Sequence, residues 1–92
     1  MDLALTHKPA IAARCAWQAL GGEAVVIDLD SRKVMGLNKT ASLVWTRMDG
    51  KRTVAELVAD VAQAFAVADD VATKDVVAFI AQMQARGLVD VR

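Results

Sequence analysis

The chain has 92 residues, enough for one domain and too few for two. Hydrophobic residues make up 55% of it, and Lys+Arg and Asp+Glu stand at 11 each, so the formal net charge is zero. That balance argues against a phosphate-binding role, which favours a basic face, and a single cysteine, Cys15, excludes an internal disulfide.

The first thirteen residues read as a flexible N-terminal tail, and residues 14–92 as one domain. The tail holds the only proline, Pro9, which blocks a helix interior or a central strand. From Arg14 to Leu20, Cys15, Trp17 and Ala19 alternate with Ala16, Gln18 and Leu20. Gly21-Gly22 follows as a two-residue hairpin turn, because glycine tolerates positive φ. Glu23 to Leu29 alternates again, Asp30-Ser31 is a second turn, and Arg32 to Leu37 is a third, shorter strand. Three such strands predict an antiparallel meander with one face covered, since a small sheet alone is marginal in water.

The period changes at Asn38, an N-cap whose side chain can accept a bond from the first helical turn. Ala41, Val44, Trp45 and Met48 then form an amphipathic stripe, with Gly50 as the expected left-handed terminator. Thr53 to Glu56 fits a capping box. Val54, Leu57, Val58, Val61, Ala62 and Phe65 continue it as one apolar face ending near Phe65. A third helix is predicted to start between Asp69 and Thr73, with Asp69, Asp70 or Thr73 as cap. Its core stripe is Ala72, Val76, Phe79, Ile80 and Met83, and Gly87 ends it. Leu88 to Val91 is a short extended tail that can add a strand. Trp17, Trp45, Phe65 and Phe79 are expected to anchor the core. Strands followed by helices predict an α+β fold, here a winged-helix-like module with a three-stranded antiparallel sheet and three helices.

Catalytic chemistry is not visible in the sequence, and the chain reads as no enzyme. Cys15 has no histidine partner except His7 in the tail, and reads as a small core residue. His7 stands without a ligand cluster, so no metal site is expected. Gly21-Gly22 precedes a strand rather than a phosphate-binding helix, and no cofactor motif is present. Without a signal peptide or a membrane-length apolar run, the expected setting is the cytoplasm with no membrane partner.

The run Leu37-Asn38-Lys39-Thr40-Ala41, then Val44-Trp45, Asp49-Gly50 and Arg52-Thr53-Val54, resembles the hallmark of the PqqD-like family. Asp75-Val76-Val77-Ala78-Phe79-Ile80 followed by Gly87-Leu88-Val89 is similar to the family's ending. The resemblance covers roughly residues 22–89. It implies a recognition element for ribosomally made, post-translationally modified peptides (a RiPP recognition element). Such a peptide chaperone binds the precursor's leader and presents it to a modifying enzyme, which can be a radical SAM protein, a leader peptidase or a cyclase. It also implies that the leader lies in a groove between the third strand and the third helix.

Edge-strand chemistry suits that role, because the open N–H and C=O groups of an edge can pair with an added strand. The strand candidates are Lys33, Val34, Met35, Gly36 and Leu37, with Leu37 also reading as core. On the third helix, Val77, Ala81 and Gln84 lie beside the core stripe and Lys74 extends that flank, while Arg86 lies on the opposite one. Val77→Asp is therefore expected to weaken leader binding with the fold intact. A monomer is expected, although an open edge permits a dimer. Two rival readings are a winged-helix DNA-binding regulator and a purely structural subunit of an enzyme complex. The regulator is disfavoured because the helix from Val54 to Phe65 has no Lys or Arg, so no nucleic-acid partner is expected.

Overall fold

A computed structural model of the chain describes residues 3–92. Strand β1 (Pro9–Ile11) comes first, then β2 (Cys15–Leu20), β3 (Glu23–Asp28) and β4 (Val34–Gly36). Three helices follow, α1 (Lys39–Arg47), α2 (Val54–Phe65) and α3 (Asp69–Ala85), and β5 (Val89–Val91) closes the order. The expected meander is present as the antiparallel sheet β2-β3-β4. Gly21 and Gly22 make its first turn at φ of 60° and 82°, the left-handed pair that matches strand twist. The second connection is longer than the sequence predicts. Asp28 accepts from the Asp30 N–H at 3.0 Å and Arg32 adopts φ 61°, so the third strand begins only at Val34.

Residues 8–12 of the expected tail are bonded to the chain's C-terminal end. Residues 9–11 pair antiparallel with β5, and Lys8 and Arg92 extend the ladder with two more backbone bonds. Pro9 is tolerated because this is a separate two-stranded ribbon, where a strand needs partners on one side only. The C-terminal strand therefore joins β1 and not the three-stranded sheet.

Asn38 caps α1, its Oδ1 accepting from the Ala41 N–H at 2.8 Å. The helix stops at Arg47 with Met48 extended, so Gly50 (φ 76°) lies in the following loop and does not terminate the helix. In that loop Asp49 Oδ1 accepts from the N–H groups of both Lys51 and Arg52 at 2.8 Å. These bonds hold the Asp49 carboxyl below its ordinary range. The capping box at Thr53 and Glu56 is complete, with bonds of 3.0 and 3.2 Å between them. α3 starts at Asp69, and none of the three expected caps serves it: Ala68 is the N-cap, without a side-chain bond. Thr73 Oγ1 instead donates back to the Asp69 carbonyl at 2.7 Å.

The core lies between the inner face of β3–β4 and the three helices. Ala24, Val26 and Leu37 meet Val44 and Trp45 of α1, Leu57 and Val61 of α2, and Val76, Ile80 and Met83 of α3. Trp45 is fully buried, as expected of a core anchor. Trp17 is not: it is 42% exposed, because it sits on the sheet's other edge while α1 packs against β3. Phe65 is 37% exposed at the last turn of α2, where Ala66 turns left-handed. Phe79 is half-buried. Ser42 is the buried polar side chain at the sheet–helix joint. Its Oγ accepts from the Ala24 N–H at 2.7 Å and donates to the Leu37 carbonyl at 3.2 Å, tying α1 to β3 and to the end of β4.

Candidate functional site

β4 bonds to β3 on one side only, so its other side is a sheet edge. The ladder's alternation shows which groups it presents. The Asp28 N–H donates to the Lys33 carbonyl and the Leu37 N–H to the Ala24 carbonyl, so residues 33, 35 and 37 face β3. Val34 and Gly36 oppose Ile27 and Val25 in the intervening non-bonded positions, and their N–H and C=O groups point outward. The side chains divide the opposite way. Leu37 and Met35 face the helices, whereas Val34 is 66% exposed on the outer face.

A groove of about 510 Å³ runs between this edge and α3. Met35, Gly36 and Leu37 form its strand side, Asn38, Thr40 and Ala41 its end at α1, and Asp75, Ala78, Phe79, Gln82 and Arg86 its α3 wall. A second hollow of about 380 Å³ adjoins it, sharing Met35 and Arg86 and reaching Lys33 and Ser31. Four of the five strand candidates, Lys33, Met35, Gly36 and Leu37, thus line one hollow or the other, whereas Val34 lines neither and meets the edge through its backbone alone.

The helix candidates do not join them. None of Lys74, Val77, Ala81 and Gln84 lines either hollow. At 3.6 residues per turn they fall on the far side of the stripe Ala72, Val76, Ile80 and Met83 from Asp75, Phe79, Gln82 and Arg86. Val77 is half-buried and packs on the core cluster. The groove flank is the one that carries Arg86. A helix stripe has two flanks, and the sequence does not say which one the sheet takes. Phe79 was the available cue, a large aromatic at the border of the stripe, but it fits the core pattern equally well.

The sheet's other edge offers less. Trp17 and Ala19 present open backbone groups on β2 by the same alternation. The hollow nearest them is lined by Ala19, the turn glycines, α1 and the end of α2, so it sits at the hairpin tip and not along the strand. Cys15 is half-buried beside the Leu88 carbonyl, with Sγ 3.7 Å from its oxygen. Partial burial, with Asp28 nearby, raises its thiol pKa, the reverse of an activated nucleophile.

The motif residues shared with the known family fall on this scaffold in a consistent way. Asn38 caps α1, Trp45 fills the core, Asp49 ties the α1–α2 loop and Thr53 caps α2. The sequence profile of the family described as Coenzyme PQQ synthesis protein D (PqqD) matches residues 23–89. The chain belongs to the PqqD family. No curated protein matches it. Among solved structures, TbiB1 in complex with the TbiA(beta) leader peptide is similar at a TM-score of 0.80 and 17% identity, over 88% of this chain and 94% of that one. Lasso peptide synthetase B1 complexed with the leader peptide is similar at a TM-score of 0.71 and 22% identity, over 90% and 98%. At these identities the likeness establishes a shared fold. That fold includes the strand edge and the α3 wall of this PqqD-family chain.

Proposed function

We propose that this chain is a non-catalytic RiPP recognition element that binds the leader of a precursor peptide as a fourth strand on β4. It holds that leader for a modifying enzyme, such as a radical SAM protein, a leader peptidase or a cyclase, and works as a monomer in the cytoplasm. The observation that carries the reading is the open β4 edge beside a groove, with the outward backbone groups of Val34 and Gly36 ready for pairing. The two structural neighbours supply a second support, since both are complexes with leader peptides. Among the described residues, β1 pairs with β5 and no strand of the chain pairs with the outer side of β4. A nucleic-acid role is disfavoured by α2, which carries no Lys or Arg to meet phosphates or base edges.

Gly36→Pro tests strand addition directly. The Gly36 N–H points away from β3, so proline removes a donor that an added strand needs while sparing the β3–β4 ladder. A Cβ at Gly36 meets nothing within 4 Å, and the ring's Cδ replaces the hydrogen of an N–H that points away from β3. Nine-residue peptides selected by display on the wild-type chain are titrated against both forms. The expected result is a loss of affinity of roughly tenfold or more with an unchanged melting temperature. Equal affinity in a folded Gly36→Pro variant rules out this edge. A purely structural subunit would yield no enriched peptide at all.

A further inference from the structure

Resting on the peptide-binding reading above, we infer that the groove is charge-polarised. It selects an extended segment with a basic residue first and an acidic residue four or six positions later, with apolar side chains between. The two ends of the α3 wall carry opposite charges, Asp75 at one and Arg86 at the other. Among the described residues neither takes part in an ion pair, and both are exposed. Lys33 reinforces the Arg86 end, sharing the adjoining hollow with it and likewise having no ion-pair partner among the described residues. The acid in that hollow, Asp28, is already occupied by Arg14 and by the turn N–H of Asp30. Between the charged ends, Met35 and Phe79 give the groove an apolar middle.

Direction follows from the strand. Lys33 shares the second hollow with Arg86 and not with Asp75, so β4 begins toward the Arg86 end and, by elimination, runs through Leu37 toward the Asp75 end. An added strand pairs most stably antiparallel to β4, so it enters beside Asp75 and leaves beside Arg86. The basic residue is therefore N-terminal and the acidic one C-terminal. Spacing follows from helix and strand rise. Asp75 and the C-cap Arg86 are eleven residue steps apart, about 16 Å along the axis, which about five extended residues span. Groove-facing side chains recur every second residue, so the matching positions are i and i+4 or i+6.

The test selects random nine-residue peptides by display on three forms of the full chain. These are the wild type, Gly36→Pro, and a charge swap combining Asp75→Lys, Arg86→Glu and Lys33→Glu. The expected wild-type pool is rich in basic-then-acidic peptides that fail on Gly36→Pro. The best of them outbinds its charge-reversed twin by roughly tenfold, a ratio that shrinks as salt is raised. The swap variant inverts the enriched order. If the swap melts early, Asp75→Asn with Arg86→Gln replaces it and should erase the preference. A pool with no charge order, with the reverse order, or with an order unmoved by these variants overturns the inference and leaves strand addition standing. A wild-type pool with nothing sensitive to Gly36→Pro overturns the peptide-binding reading itself.

Discussion

Val77 and Phe79 are two residues apart on α3 and belong to different parts of the molecule. Val77 packs on the core from the flank away from β4, and Phe79 lines the groove. Their substitutions should separate stability from recognition. Val77→Asp places a carboxylate against apolar neighbours and is expected to cost about 1–3 kcal/mol, while the folded fraction keeps its affinity for a selected peptide. Phe79→Ala is expected to cut that affinity roughly tenfold, beyond any effect of its own stability loss. Chemical denaturation and peptide titration of both variants check this, and weaker binding by folded Val77→Asp would return the site to the other flank. The motif residues were legible because their work is local. Asn38 and Thr53 cap helices through bonds to residues three positions further along the chain. The charged groove residues, Asp75 and Arg86, were not legible as a pair, because each looks like a solvated helix charge until β4 is placed beside them.

The sequence marks some element ends plainly and others not, for physical reasons that differ from end to end. The start of α2 was fixed by a reciprocal side-chain signal and lies where Thr53 and Glu56 require. The end of α1 has no such signal, because Gly50 looks like a helix terminator in sequence while its left-handed φ serves the loop, where its N–H donates to the Pro9 carbonyl at 3.0 Å. The same loop and cap give the chain an acid sensitivity. The Thr53 N–H bonded to Glu56 holds the Glu56 carboxyl below its usual value, as the Arg52 and Lys51 N–H groups do for Asp49. A carboxyl with a depressed folded pKa stabilises the fold above its unfolded pKa of about 4 and loses that contribution as pH falls through the folded value. Glu56→Gln keeps an oxygen that can accept the Thr53 N–H but cannot titrate. Its melting temperature should therefore fall less steeply than the wild type's from about pH 5 downward, and parallel curves would mean that Glu56 carries none of the acid response.

At the scale of the whole molecule, the consequential departure from the sequence reading is the N-terminal segment. No periodicity marked it, since its contacts are backbone bonds to parts of the chain that lie far away in sequence. The His7 and Leu5 carbonyls accept from the first N–H groups of α2, Val54 and Ala55, at 2.9 and 3.0 Å. The Ala12 N–H donates to the Leu88 carbonyl at 2.9 Å, and β1 supplies the partner of β5. The segment thus clamps the α2 start to the chain's C-terminal end and stands apart from the β4 edge. Deleting residues 1–12 removes several such bonds together with the burial of Pro9, Ala10 and Ala12. At about 1 kcal/mol per bond, the loss should lower the melting temperature by at least about 10 °C. Affinity for a groove-selected peptide, measured where the shortened chain is still folded, should stay within about threefold of the full chain's. A larger fall would make the N-terminal segment part of the peptide site, and a gain would mean that it competes for β4. Constancy beside a large stability loss places stability and recognition on separate sheets, with the two-stranded ribbon serving the scaffold and the meander's free edge serving the guest.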